Sequence, residues 1–198
     1  MRILVFGGTF NPVHIGHVEM LKKAQQVISP DLTLVIPTFL PPHKSVSSDF
    51  LSSSDRLNMC KLAFDGFENT EVSDIEIMAK EKSYSVITFS KLHEIYSDAE
   101  FVMLCGADMF LNLKTWYKYG ELIKLTAFCA LPRKEGADKL IEYAKIVEND
   151  GGKCIVIDEI VTDISSTEIR RKFMNGEDVS GLVPDNVCEY IENNNLFR

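Results

Sequence analysis

Ile3-Leu4-Val5-Phe6-Gly7-Gly8-Thr9-Phe10-Asn11-Pro12-Val13-His14-Ile15-Gly16-His17 stands almost at the start of the chain. Its apolar run ends on two glycines, as a buried strand does where it meets a tight turn. Beyond it, Val18, Leu21, Ala24 and Ile28 recur at spacings of three and four. That periodicity predicts an amphipathic helix over residues 15–28. Strand, glycine turn and helix in this order begin a βαβ unit. Glycine lets the backbone approach a ligand closely, and a helix start offers N–H groups to an anion. His14 and His17 are one helical turn apart, so both imidazoles can face one ligand. The stretch is not a Walker A loop and lacks G-x-G-x-x-G. The histidine pair also lacks the i,i+4 spacing, adjacent Glu and third ligand of a zinc site.

The same alternation continues outward. Apolar runs predict strands at 32–36, 101–105, 125–131 and 154–157, and alternation of apolar and polar residues predicts one at 72–77. Helical periodicity predicts helices at 55–64, capped by Ser53 or Ser54, and at 84–95, 139–147, 167–174 and 186–193. The fold class is therefore α/β, a Rossmann-like, doubly wound parallel sheet with helices on both faces, in one domain over residues 1–198. Ligands of such sheets bind beyond the carboxyl ends of the strands. Residues 38–54, rich in proline and serine, read as a long irregular loop, and loops of this length are commonly functional.

Composition narrows the class. The chain has 198 residues, 45% hydrophobic and 25% charged, with 21 Lys plus Arg against 29 Asp plus Glu, a formal net charge of −8. It is too apolar for a disordered chain. An acidic balance speaks against non-specific nucleic-acid binding, which needs a basic face. No apolar run approaches the roughly 18 residues of a membrane span, and the start is no signal peptide. Cys60, Cys105, Cys129, Cys154 and Cys188 form no C-x-x-C pair, and read as reduced thiols. A soluble cytoplasmic protein is expected, without nucleic-acid or membrane partners. Self-association is left open.

A second constellation lies about 150 residues further on, at Ile164-Ser165-Ser166-Thr167-Glu168-Ile169-Arg170. Ser165 and Glu168 fit a capping box, so a helix starts here. Capping does not account for Arg170, whose planar fork suits phosphate oxygens.

The element H-x-G-H resembles the signature of the nucleotidylyltransferase superfamily. In its wider spelling, G-G-T-F-[DN]-P-x-H-x-G-H, it resembles bacterial nicotinate-nucleotide adenylyltransferases. The later stretch is similar to the superfamily's second signature, I-S-[ST]-T-x-[IL]-R. The resemblance covers nearly the whole chain, including Leu182-Val183-Pro184 and the following Val187, Tyr190 and Ile191.

The resemblance implies ATP phosphates at His14, charge stabilisation on the α-phosphate by His17, and a grip on the β- and γ-phosphates by Ser166, Thr167 and Arg170. It places ATP against Gly7, Gly8, Thr9, Phe10, Gly16 and Ser165 as well. Gly106 and Asp108, just after a strand, fall where the family holds the adenosine ribose, whose hydroxyls a carboxylate can accept. For the mononucleotide it implies His43 and Lys44 in the sequence Pro41-Pro42-His43-Lys44, Ser85, Trp116 stacking on the pyridine ring, and Arg133. Ser83-Tyr84-Ser85-Val86-Ile87-Thr88 departs from the family's S-Y-T-x-D-T, with Ile87 replacing the acid. Trp116 also reads as a core anchor, and Ser83 or Ser85 as a helix cap.

The expected reaction joins ATP and nicotinate mononucleotide into deamido-NAD and pyrophosphate, with Mg²⁺ carried in by ATP and no protein metal site. Nicotinamide mononucleotide and phosphopantetheine are the alternative acceptors. A catalytically silent nucleotide-binding regulator is the alternative from another class. No Ser–His–Asp triad is readable, and none is needed, because the attacking phosphate is already anionic.

Overall fold

The computed structural model describes residues 1–42, 49–132 and 136–197. Strands β1 (Arg2–Gly8), β2 (Leu32–Pro37), β3 (Thr70–Val72), β4 (Glu100–Gly106), β5 (Ala127–Leu131) and β6 (Cys154–Val156) form one sheet in the order β3-β2-β1-β4-β5-β6. Every neighbouring pair is parallel, and Val5 at the centre faces Leu34 on one side and Met103 on the other. The order reverses on either side of β1. The crevice beyond the carboxyl ends of β1 and β4 is therefore the topological switch point.

The strands alternate between two cores. Leu4, Phe6, Val35, Val102, Leu104, Cys129 and Leu131 point to one face. There they meet helices α1 (Ile15–Ile28), α2 (Ser53–Ala63) and, later in the chain, the helix over Asp185–Asn193. Ile3, Val5, Leu34, Ile36, Phe101, Met103 and Phe128 point to the other. That face carries the helices over Ser85–Ile95, Tyr119–Leu125 and Asp138–Asn149. Helices on both faces explain why β1 reads as a continuous apolar run rather than an alternating one.

In chain order the remaining helices are α3 (Ile75–Ala79), α4 (Ser85–Ile95), α5 (Ala107–Phe110), α6 (Tyr119–Leu125), α7 (Asp138–Asn149), α8 (Ser166–Asn175) and α9 (Asp185–Asn193). Among the described residues no helix is long and apolar enough to cross a membrane.

Several expected boundaries are corrected. The strand expected at 72–77 is β3 followed by α3. β3 is an edge strand with one partner, and once Ser73 N–H has bonded to Val35 O the chain leaves the sheet. Ile75 and Ile77, which suggested alternation, lie on a short helix instead. The cap of α2 is Ser52, whose hydroxyl accepts from Asp55 N–H at 3.1 Å, rather than Ser53 or Ser54. The strand expected from residue 125 begins at Ala127, because Leu125 closes α6. α5, the 3₁₀ turn at Leu113–Thr115 and α6 were not expected; each is too short to show periodicity.

Arg56 sits on the inner stripe of α2 with Met59, Cys60 and Ala63, and is fully buried. Its guanidinium donates to the carbonyls of Leu51 (3.2 Å), Thr9 (3.0 Å), Thr38 (2.6 Å) and Phe39 (3.1 Å), and lies over the Phe50 ring. It thus ties the turn after β1, the exit of β2 and the entry to α2. Desolvation pushes its pKa down to about 10, against the opposing pull of Cys60 and Glu76. Arg56→Met fills similar space but strands four carbonyls. The expected loss is on the order of 3 kcal/mol in urea denaturation, and a loss below about 1 kcal/mol would show that those carbonyls find other donors.

Candidate active site

A cleft of about 520 Å³ opens at the switch point. Its walls are the β1 turn, the starts of α1, α4 and α8, and the β4–α5 junction. Gly7, Gly8, Thr9, Phe10, His14, His17, Ser85, Gly106, Asp108, Trp116, Ser165, Ser166, Thr167 and Arg170 all line it. His43, Lys44 and Arg133 lie outside the described residues.

His14 is the N-cap residue of α1 and His17 is at its third position. Their rings stack with centroids 3.6 Å apart. The backbone N–H of His14 points at His17 Nδ1, 3.2 Å away. That nitrogen therefore carries a lone pair, and the ring proton sits on Nε2, where it serves as a donor. Phe10 stands edge-on to the His17 ring at 5.1 Å and to Phe6 at 5.3 Å. Phe10 has φ 47°, a left-handed conformation that folds its ring back beneath Gly8. A Cβ on Gly8 would lie 2.8 Å from that ring. Phe10 is thus a buried support for His17, only 1% exposed.

Gly16 is the position in H-x-G-H where a side chain has no room. A Cβ there would lie 2.9 Å from the carbonyl oxygen of Thr162. Thr162 is clamped onto α1 from the other side too, with its N–H and hydroxyl donating to the two Glu19 carboxylate oxygens at 2.7 and 2.8 Å. This contact delivers the second signature. Ser165 caps α8, accepting from Glu168 N–H at 3.2 Å. Ser166 Oγ donates to Pro12 O at 2.9 Å, and Arg170 Nη1 donates to Asn11 O at 2.9 Å. Arg170 Nε donates to the Asp49 carboxylate. A satellite apolar cluster of Ile164, Ile169 and Val183, with Ile15 and Leu182 against it, seats α8 on the start of α1. The two signatures, far apart in sequence, thus share bonds at the turn after β1.

The opposite end of the cleft is aromatic. Trp116 is half-buried, and the rings of Tyr84 and Tyr117 are 4.6 Å apart. Ser85 opens α4, and Thr88 on the same helix donates its hydroxyl to Glu76 Oε1 at 2.6 Å. Glu76 Oε2 is buried and accepts no hydrogen bond within 3.5 Å among the described residues. Burial raises the Glu76 pKa, with Thr88, Ser83 and Arg56 opposing the shift. Among the described residues no cluster of three or more His, Cys, Asp or Glu side chains could hold a metal ion.

Residues 5–172 match the cytidylyltransferase-like family. The chain is 42% identical to a probable nicotinate-nucleotide adenylyltransferase of Fusobacterium nucleatum, over 97% of both chains. It is 34% identical to one from Thermotoga maritima, over 96% of this chain and 91% of that one. The chain belongs to the nicotinate-nucleotide adenylyltransferase family. A Plasmodium falciparum nicotinic acid mononucleotide adenylyltransferase solved with NaAD shares the family fold, with TM-score 0.81 at 18% identity, covering 99% of this chain and 97% of that one.

Glu19, Asp49, Arg56 and Glu76 were not among the residues expected from the sequence. Arg56 left a legible signal, since residues 56, 59, 60 and 63 make one helical stripe with a cation in it. Glu19, Asp49 and Glu76 left none, because each acts through a partner distant in sequence.

Gly16→Ala forces a Cβ against backbone, which cannot swing away. The expected result is a displaced 162–170 segment and roughly a 10²-fold drop in turnover, since misplacements near 1 Å cost about that much. Steady-state pyrophosphate release measures it, and wild-type rates would show that the segment accommodates the methyl group. Glu76 titrates with the opposite sign from a salt-bridged acid. Its raised pKa means that ionising it costs folding stability, so the cost is absent at acid pH and grows as pH rises above its ordinary value of 4.5. Glu76→Gln should therefore raise Tm at pH 8, with the gain shrinking as pH falls towards 4.5. A gain independent of pH would sink this account.

Proposed function

We propose that this protein transfers the adenylyl group of ATP to nicotinate mononucleotide, releasing pyrophosphate and forming deamido-NAD. The observation that carries the proposal is the direct contact between the two signatures at one cleft: Ser166 and Arg170 bonded to Pro12 and Asn11, beside His14 and His17. The names of the relatives support nicotinate mononucleotide over the alternative acceptors.

In the proposed reaction an oxygen of the mononucleotide phosphate attacks the α-phosphorus of ATP. The bond from that phosphorus to the bridging oxygen breaks, and pyrophosphate leaves with the electron pair. No proton need be removed from the nucleophile. The work left to the protein is alignment and stabilisation of charge on the α-phosphate oxygens. His17 supplies Nε2–H for that charge, its ring fixed by the His14 N–H and braced by Phe10. His14, Gly7, Gly8 and Thr9 line the triphosphate path, with Gly16 giving the backbone clearance. Ser165, Ser166, Thr167 and Arg170 hold its far end. Gly106 and Asp108 face the ribose. Trp116 offers a surface for the pyridine ring, with Ser85 at the start of α4 beside it. Mg²⁺, when carried in with ATP, would neutralise part of the triphosphate charge.

His17→Ala should lower kcat by about 10²- to 10³-fold while KM for ATP changes little, because the donor acts where charge develops. Pyrophosphate release is read separately with nicotinate mononucleotide, nicotinamide mononucleotide and phosphopantetheine. Preference for another acceptor would keep the phosphate chemistry and overturn the substrate. Normal turnover by His17→Ala would overturn the role of His17.

A further inference from the structure

Arg170 is offered to the cleft in a restricted way. A guanidinium has five N–H donors. Nε is held by the Asp49 carboxylate and Nη1 by the carbonyl of Asn11 at 2.9 Å. Among the described residues Nη2 makes only a long contact, 3.5 Å to Thr167 Oγ1. The side of the fork turned towards Thr167 is therefore the side left for a ligand.

Asp49 is itself held in place by the turn after β1. Asn11, only 4% exposed, uses both ends of its side-chain amide on this segment. Its Nδ2 donates to Asp49 O at 3.2 Å and its Oδ1 accepts from Leu51 N–H at 3.1 Å. Arg56 grips the same segment through Leu51 O at 3.2 Å. The backbone that carries the carboxylate is thus held at Asp49 itself and two residues further on. The carboxylate is placed to orient Arg170 rather than to compete for it.

We propose that Asp49 is a positioning residue for adenylyl transfer: with Asn11 it fixes the Arg170 guanidinium so that Nη2, beside the Thr167 hydroxyl, meets the ATP polyphosphate. The proposal rests on the reading above in which Arg170 binds ATP. Asp49 lies near the end of the 38–54 loop, where the chain enters α2. The base of that loop and the phosphate-binding arginine are parts of one hydrogen-bonded unit.

The test is a double-mutant cycle on KM for ATP with Asp49→Ala, Arg170→Ala and the double variant, each checked by thermal melting. Asp49→Ala should raise KM for ATP about 10- to 100-fold, the usual weight of one charge-assisted hydrogen bond, and change KM for the mononucleotide far less. Asp49→Asn, which keeps an acceptor without the charge, should recover part of the loss. In the Arg170→Ala background, removing Asp49 should cost nothing, or improve ATP binding by deleting a negative charge near the polyphosphate. Multiplicative single effects would overturn the proposal. So would tighter ATP binding by Asp49→Ala alone, which would make Asp49 a competitor. If Asp49→Ala fails to fold, Asp49→Asn carries the cycle. Absence of pyrophosphate release by the wild type with every acceptor would fail the function itself, and is distinguishable because ATP binding by the same variants still reads the Asp49–Arg170 coupling.

Discussion

The contact between Gly16 and the carbonyl of Thr162 is the constraint on which the site depends. A parallel sheet collects the ends of its strands along one edge, but it does not set the distance between a turn after β1 and a helix that follows β6. Here that distance is set by atoms. The carbonyl of Thr162 lies 2.9 Å from where a Cβ on residue 16 would stand, so only glycine permits the approach. Glu19, less than one helical turn beyond, then secures Thr162 with two bonds. Once residue 162 is pinned, α8 begins within bonding reach of Pro12 and Asn11. The glycine of H-x-G-H, expected to meet ATP, is a packing residue here and does not line the cleft.

Around this contact the turns are made rigid by polar groups that would otherwise be expensive to bury. Loops leaving a sheet carry carbonyls with no strand partner. Arg56 answers four of them with one guanidinium, and its own charge is tolerable because every bond it makes is to a strong acceptor. Asn11 does the same on a smaller scale, with its side-chain amide on residues 49 and 51 and its carbonyl on Arg170. These bonds explain how three irregular segments, the β1 turn, the exit of β2 and the entry to α2, form one wall.

The sheet was legible because its signals are local. β1 and α1 follow from apolar runs and a glycine turn, and β2, β4 and β6 from apolar runs of ordinary length. Elements fail to show where they are shorter than the period that reveals them. α3 and α5 span five and four residues, and Ile75 with Ile77 imitates a strand. In the site, the two signatures were readable as types of residue at fixed spacing. Phe10 could be read only as part of a motif, and its ring proves to be core. The supporting groups were not readable, because Asp49–Arg170, Glu19–Thr162 and Glu76–Thr88 are contacts of folding rather than of spacing.

The charge pattern bears on how such a site works. The chain carries a net charge of −8, and the cation at the far end of the cleft is already paired with a carboxylate. Among the described residues, the proposed attraction of a polyphosphate does not rest on excess positive charge. In the proposed reading it rests on oriented donors: N–H groups at the starts of α1 and α8, an imidazole whose Nδ1 faces a backbone N–H, and a guanidinium with one side turned to Thr167. Oriented dipoles bind a ground-state anion modestly and respond most where charge builds up. In the proposed transfer, that place is the α-phosphate. Pairing Arg170 with Asp49 follows the same logic. In the proposed reading it holds ready a donor that need not reorganise when ATP binds or as the reaction proceeds.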